Sequence, residues 1–442
     1  MFQPTQGDPV VSKYTRPATP AMSRWKSITV GASLAIAVTT GVGLERFVLV
    51  GTAVGGQQHE EFEDTEAFDI LAAAYDVVRE SYVLSDDMSD EELVQGAAQG
   101  MLDMLNDADH SYFMDAGATE RNESNLAGQL VGIGVVIDWE ARPPRVIYPI
   151  NESPAFEAGI LPGDILVSVD GVDLSTIHDE ETLTTIIRGE AGTDVTIVLQ
   201  HPGETEPYEA TITREAMEVN PVSWTMLPGD VMWVRLNGFP EGAAQRMAEA
   251  LRAGKEAGAR GVLLDLRGNS GGWIQQAIDI ASQFQPDGSV VFNEEHADGS
   301  ITVYETTGNR GEWQEQPLLV LVDGDTASSG ELLSATLKDN ERALLVGVTT
   351  LGLGTSVRFF DLPDGTSMAL STDLWTTPDG DVMLNAGIAP DIEVQNNPGS
   401  GFSLPYLLGE GDPTEDDIAS SDDRQLQVGY DLLLSLMEEE GS

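Results

Sequence analysis

The sequence predicts a multidomain α/β protein, on three observations. Apolar residues recur at helical spacing between Ala67 and Leu105. From Gln129 to about Arg214 the pattern changes to short strands punctuated by glycine and proline. From residue 231 to 392, apolar strands alternate with helical stretches, the mark of an α/β domain around a buried sheet. A chain of 442 residues, 41 % of them hydrophobic, is long enough for two or three domains with sizeable cores.

The elements follow in chain order. Residues 1–26 are polar and carry Lys13, Arg16, Arg24 and Lys26 against Asp8. An apolar run extends from Ile28 to Leu44, and Phe47–Val54 is apolar again after Glu45 and Arg46. Residues 27–55 read as a transmembrane anchor or as a signal segment whose small residues, Gly51 to Gly56, can host a cleavage site. The basic flank orients residues 1–26 as a cytoplasmic tail. The expectation is a single pass through the cell membrane, with the bulk of the chain extracytoplasmic. Residues 57–64 form a polar, acidic linker.

Residues 65–125 form a helical segment, with Phe68, Leu71, Ala74, Tyr75 and Val78 on one helix and Leu93, Ala97, Met101 and Leu105 on a second. The break lies at Ser85–Asp90, and Ser89 followed by Glu91 and Glu92 reads as a helix start. Residues 129–215 form a small β-rich domain. In it Gly132–Ile137 alternates as a strand, Ser153–Gly159 is a short capped helix, and Ile165–Val169 is a strand running into the turn Asp170-Gly171. Residues 216–397 form the α/β core. Its strands are Val231–Leu236, Gly261–Leu266 and Pro317–Val322, and its helices Gly242–Ala257, Ile274–Phe284 and Gly330–Lys338. Residues 398–442 read as an acidic tail, disordered over 409–424, and a terminal helix from Gln425 to Glu440.

Charge and composition exclude several function classes. With 22 Lys+Arg against 74 Asp+Glu the formal charge is −52, which repels phosphate backbones and makes nucleic acid no partner. Such a surface reads as a solubility adaptation to a salty medium, where screening makes it tolerable. The absence of cysteine removes disulfides, thiol nucleophiles and thiolate metal sites. The five histidines (His59, His110, His178, His201, His296) form no metal-binding pair, so neither metal nor other cofactor is expected.

Several blocks, in the order found here, resemble the C-terminal processing (tail-specific) serine peptidase family. They are Gly100-Met101-Leu102 with Asp109-His110-Ser111, the strand and turn blocks of residues 129–215, Leu264–Gly272, Thr326–Glu331, Asp339 with Arg342-Ala343, Gly347 with Gly352-Leu353-Gly354, Thr377–Gly380 and Gly387–Asp391. Together they span roughly residues 65–395, and His110 stands where the family usually has proline. The resemblance implies that 129–215 is a PDZ domain and that 216–397 is a peptidase core of α/β, crotonase-like fold. A PDZ domain adds a peptide strand to a sheet edge and captures a terminal carboxylate on backbone N–H groups. Gly132, Ile133, Gly134, Val135 and Ile137 are the residues this implies for binding protein or peptide C-termini. By itself the segment reads as an ordinary glycine-containing strand.

In the family a serine attacks the scissile carbonyl, a lysine takes its proton, and backbone N–H groups stabilise the oxyanion. Ser328 matches the nucleophile, Gly271 and Gly272 one oxyanion element, and the Ser329 N–H the other. On residue type alone Ser328 reads as a helix N-cap, a position serine favours. The lysine belongs 25 residues after the serine, where this chain has Leu353, and the glutamine that supports it belongs where Val357 stands. Leucine accepts no proton, and the pair of replacements reads as a site re-packed as core. Lys338, Arg358 and His110 are the conceivable substitutes, of which arginine is not deprotonated in proteins. Two readings follow: a membrane-anchored binder of apolar or unfolded protein C-termini with hydrolysis lost or impaired, or an active serine endopeptidase with a base other than lysine.

Overall fold

The strands that read as continuous apolar runs pair with one another in one sheet. A computed structural model describes residues 66–396 and 413–440, apart from residues 106, 108–109, 139–142, 151–152, 178–179, 205, 219 and 309–310. The expected tail, membrane or signal segment 27–55 and linker 57–64 lie outside the described residues. Among the described residues no helix is long and apolar enough to cross a membrane.

The helical segment comprises α1 (Glu66–Ser81), α2 (Asp90–Leu102), strand β1 (Tyr112–Met114) and α3 (Ala116–Leu126). Ser89 starts α2 through a reciprocal capping box with Glu92, its hydroxyl accepting the Glu92 N–H at 3.0 Å. Helical spacing here does not produce a buried face: Phe68, Leu71 and Met101 are all exposed.

The small domain holds β2 (Gln129–Gly132), β3 (Val135–Asp138), β4 (Arg145–Pro149), α4 (Pro154–Glu157), β5 (Ile165–Val169), β6 (Val172–Asp173), α5 (Glu180–Ile187), β7 (Asp194–Gln200), β8 (Tyr208–Thr213) and β9 (Glu215–Glu218). Its sheet runs β3-β4-β5-β7-β8 with β6 beside β5, over a core that includes Ile133, Leu166, Ile197 and Leu199. Asp170 and Gly171 both take positive φ, 47° and 79°, as a two-residue hairpin turn requires. The single strand expected over Gly132–Ile137 is two. Gly134, at φ +74°, turns the chain after Ile133 buries its side chain in the core, and β2 pairs with β9 rather than with β3.

The remaining elements are β10 (Val222–Leu227), β11 (Val231–Leu236), α6 (Ala243–Glu256), β12 (Gly261–Asp265), α7 (Ile274–Phe284), β13 (Val290–Glu295), β14 (Ile301–Glu305), β15 (Leu318–Val322), α8 (Ser329–Asp339), β16 (Leu344–Gly347), β17 (Thr355–Asp361), β18 (Ser367–Thr376), β19 (Ile392–Glu393), α9 (Glu415–Ser420) and α10 (Arg424–Glu440). The core sheet has the order β10-β11-β12-β15-β16-β19 and is parallel from β11 to β19. Alternate residues face opposite layers. Val262, Leu264 and Val320 pack with residues of α6, α7 and α8, whereas Leu263, Leu319 and Leu321 pack with Leu426, Tyr430, Leu433 and Met437 of α10. Covering both faces is why these strands are apolar throughout. A five-stranded sheet, β1-β18-β13-β14 with β17 beside β18, completes the core and ties in the helical segment through β1.

The acidic stretch expected to be disordered is ordered from residue 413. Thr414 caps α9, Ile418 inserts into the α10 layer, and the carboxylate of Asp423 accepts a 2.7 Å hydrogen bond from the fully buried Arg267. One apolar anchor and one buried ion pair outweigh the local composition.

Candidate functional site

The carboxyl ends of parallel strands are where an open α/β sheet forms its crevice. Two loops meet there: residues 266–273 after β12 and 323–328 after β15. They are laced together. The Ala327 N–H donates to the Asn269 carbonyl at 2.9 Å, the Thr326 hydroxyl to the Leu266 carbonyl at 3.0 Å, and the Ser329 hydroxyl to the Gly272 carbonyl at 2.8 Å.

Ser328 occupies the N-cap position of α8, and Glu331 closes onto it as in a capping box, accepting the Ser328 N–H at 2.9 Å. The Glu331 N–H goes to the Ser328 carbonyl at 2.8 Å, and the Ser328 hydroxyl makes no side-chain cap hydrogen bond. Its backbone sits at φ +52°, ψ −121°, a conformation that costs a non-glycine residue about 1–3 kcal/mol and persists only where its surroundings impose it. Gly271 lies directly against it. A Cβ at Gly271 would fall 2.6 Å from the Ser328 Cβ, 3.0 Å from its Oγ and 3.1 Å from the Ser329 nitrogen. Gly271 and Gly272 have φ of +102° and +137°, so only glycine brings backbone this close. The Gly272 and Ser329 N–H groups have no acceptor among the described residues.

Glu331 builds the rest. It is fully buried, and its two oxygens take four donors: the Thr350 hydroxyl at 2.6 Å and Gly352 N–H at 2.7 Å on Oε1, the Ser328 N–H at 2.9 Å and Leu353 N–H at 2.8 Å on Oε2. Burial pushes its carboxyl up from the ordinary range, partly offset by these donors. Ser328 and Leu353 therefore share one carboxylate oxygen, which brings the backbone of residue 353 beside the serine. With its acceptor sites filled, Glu331 has none left for the Ser328 hydroxyl. The Ser-x-x-Glu spacing of a capping box was the readable signal for it; its burial was not.

The apolar residues of this site do not form core. Leu353 is half-buried and Val357 is 37 % exposed, on the face of β17 and β18 that also exposes Leu374. This corrects the expectation of a re-packed site: the loop 350–354 is strapped down by its backbone, so its side chains are not needed as packing. Asn385 donates to the Gly352 carbonyl and Trp375 to the Gly354 carbonyl, both at 2.9 Å.

Lys338 and Arg358 are engaged elsewhere. Lys338 lies at the far end of α8, about 15 Å along the helix from Ser328, and donates to the Ala389 carbonyl at 2.7 Å. Arg358 pairs with Asp373 at 3.2 Å. His110 is buried, with its Nδ1 3.4 Å from the Thr355 hydroxyl.

In the small domain, Ile133 is core and Val135 and Ile137 pack partly against it. Gly132 ends β2, where a Cβ would make only an ordinary 3.9 Å contact with Arg188. Gly134 is the constrained glycine: a Cβ there would fall 2.3 Å from that of Ser153. Strand β3 is an edge of its sheet. At the end of α3, the Leu126 carbonyl accepts the Trp273 indole N–H and the Glu241 N–H, both at 2.9 Å, and Trp273 is one residue from Gly272.

Comparison with known proteins assigns the architecture. The description peptidase family S41 matches residues 230–394, PDZ domain residues 145–201, and activating protease CtpB N-terminal domain residues 30–118. Over 372 residues the chain is 30 % identical to the carboxy-terminal processing protease CtpA of Bacillus subtilis, covering 84 % of this chain and 78 % of that protein. The chain belongs to peptidase family S41. A carboxyl-terminal-processing protease of Synechocystis is 35 % identical over 312 residues, 69 % of each chain. A solved structure of a putative S41 protease from Bacteroides fragilis shares the fold, with a TM-score of 0.53 at 15 % identity over 83 % of this chain and 97 % of that one. This S41 chain thus joins a PDZ domain to a peptidase core, and Ser328 lies within the stretch matched to the family. Among the described residues no acidic or histidine cluster could hold a metal ion.

Proposed function

We propose that this S41 chain binds the C-termini of unfolded or apolar proteins from the outer face of a membrane, anchored by residues 27–55, and that peptide hydrolysis is lost or severely impaired. Ser328 is the nucleophile position, Gly271, Gly272 and Ser329 its oxyanion backbone, and Leu353 and Val357 stand where the lysine and glutamine belonged. Of the PDZ residues, Val135 and Ile137 lie on β3, the edge to which the peptide adds, and Gly132, Ile133 and Gly134 form the connection that leads into it. One observation carries the reading: the backbone of residue 353 is bonded to the same Glu331 oxygen as that of Ser328, and its side chain is a leucine. Without a base, turnover falls by on the order of a million-fold.

A second reading, an active endopeptidase with another base, is favoured by the strained backbone of Ser328 and its contact with Gly271. Proteolysis of an unfolded protein ending in small apolar residues separates the two. The full chain, Ser328→Ala, and Leu353→Lys with Val357→Gln are compared. Cleavage by the double variant alone supports the binder. Cleavage by the unaltered chain that Ser328→Ala abolishes overturns it.

A further inference from the structure

A second arrangement of a hydroxyl, an imidazole and a carboxylate lies on the five-stranded sheet. His296, just past β13, places Nδ1 2.8 Å from Oδ1 of Asp373 on β18 and Nε2 2.7 Å from the hydroxyl of Thr302 on β14. The other oxygen of Asp373 is held by the Thr372 hydroxyl at 2.7 Å and the Arg358 guanidinium at 3.2 Å, which leaves Oδ1 to His296. Asp373 is buried and His296 partly so, while Thr302 is exposed. An ionised carboxylate only accepts, so Nδ1 carries the proton. In the neutral imidazole Nε2 must then accept, and the hydroxyl of Thr302 is its donor. A nucleophile bonded to a base that a third group orients is the diagnostic geometry of hydroxyl activation.

The surroundings fit the same use. Strand β14 is the open edge of its sheet. The His296 N–H donates to the Ser300 carbonyl at 2.9 Å, and Glu294 lies opposite Thr302, so the alternation of an antiparallel pair turns the Val303 N–H away from β13 toward that open edge. A backbone donor on the residue after the nucleophile is therefore available to a developing oxyanion.

We propose that Thr302 is the nucleophile of a second site, with His296 as its base and Asp373 as the residue that positions His296, and that this site accepts the acyl group of an activated ester. In the step, Thr302 Oγ bonds to the acyl carbon as its proton passes to His296 Nε2. The bond from that carbon to the leaving oxygen breaks, the leaving group departs as phenolate, and an acyl-threonine ester remains. The groups facing His296 are Asp373 from β18, Glu294 from β13, Asp298 from the connecting turn and, across Asp373, Arg358 from β17. The hydrogen bond to Asp373 and the three carboxylates push the imidazole up from its ordinary value. Protonated, it donates from both nitrogens and Thr302 loses its base, so acylation rises with pH.

The test treats the full chain with p-nitrophenyl acetate and maps acetyl groups by mass spectrometry of peptides. The expected result is an acetyl ester on Thr302, formed along a single titration above the ordinary histidine value, retained in Thr302→Ser and about 100-fold slower in His296→Gln. No adduct on Thr302, label confined to Ser328 and lysines, or equal rates with and without the imidazole overturns the proposal.

Discussion

Replacing Gly271 with alanine tests the contact on which the Ser328 site is built. Two penalties add. The position has φ +102°, which an alanine adopts at a cost of about 1–2 kcal/mol. The new Cβ would fall 2.6 Å from that of Ser328, and relieving such an overlap in a packed site costs about 1–3 kcal/mol. The sum is roughly 4 kcal/mol. Gly258 separates the two penalties. It has φ +96° at the end of α6 with nothing within 4 Å of its would-be Cβ, so Gly258→Ala carries the backbone cost alone. Urea unfolding of the full chain and both variants at neutral pH gives the difference. The expected result is a loss for Gly271→Ala about 2 kcal/mol larger than for Gly258→Ala. Equal losses would refute the reasoning, because Gly271 would then not lie against Ser328.

Other expectations concern the supports around the site. Asp423→Asn leaves buried Arg267 short of one of its two carboxylates and should cost about 3–5 kcal/mol by urea unfolding. Leu433→Ala opens the layer between α10 and the core sheet; a loss outside about 2–5 kcal/mol would show that α10 does not cover that face. The His296–Asp373 pair should shape stability against pH from both sides. Although burial raises Asp373, its bonds to His296 and Thr372 and the Arg358 charge bring it below the ordinary range, so its contribution is present above about pH 4 and fades as pH falls through its folded value. His296 is raised, so its contribution is present below about pH 6.5 and fades as pH rises through its folded value. Asp373→Asn should flatten both limbs of the urea midpoint plotted against pH; a profile unchanged in shape would count against the pair.

Much of the core was legible because period and composition act locally. Val231–Leu236 and Ile274–Phe284 lie where their apolar patterns put them. Ser89 and Glu92 declare the start of α2 by spacing alone. Where reading failed, a distant partner decided. Residues 413–424 look disordered by composition, yet Arg267 and the sheet face hold them. Phe68 and Leu71 have helical spacing yet remain exposed. Leu353 and Val357 suggest core by residue type, yet Leu353 lies in a loop fixed by its backbone bonds and Val357 is exposed on β17.

The sequence by itself determined the family, the order of the domains, the serine and the leucine found 25 residues after it. These are matters of which residue stands where, and collinear motifs record them directly. Only the tertiary structure decided that Glu331 joins residues 328 and 353 through one oxygen, that the Ser328 hydroxyl is not spent as a helix cap, and that Thr302, His296 and Asp373 meet. The last three come from two strands and the end of a third in one sheet, and pairing between distant segments has no local signature. It is set by register across the sheet, which is specified wherever one face of the strands is buried.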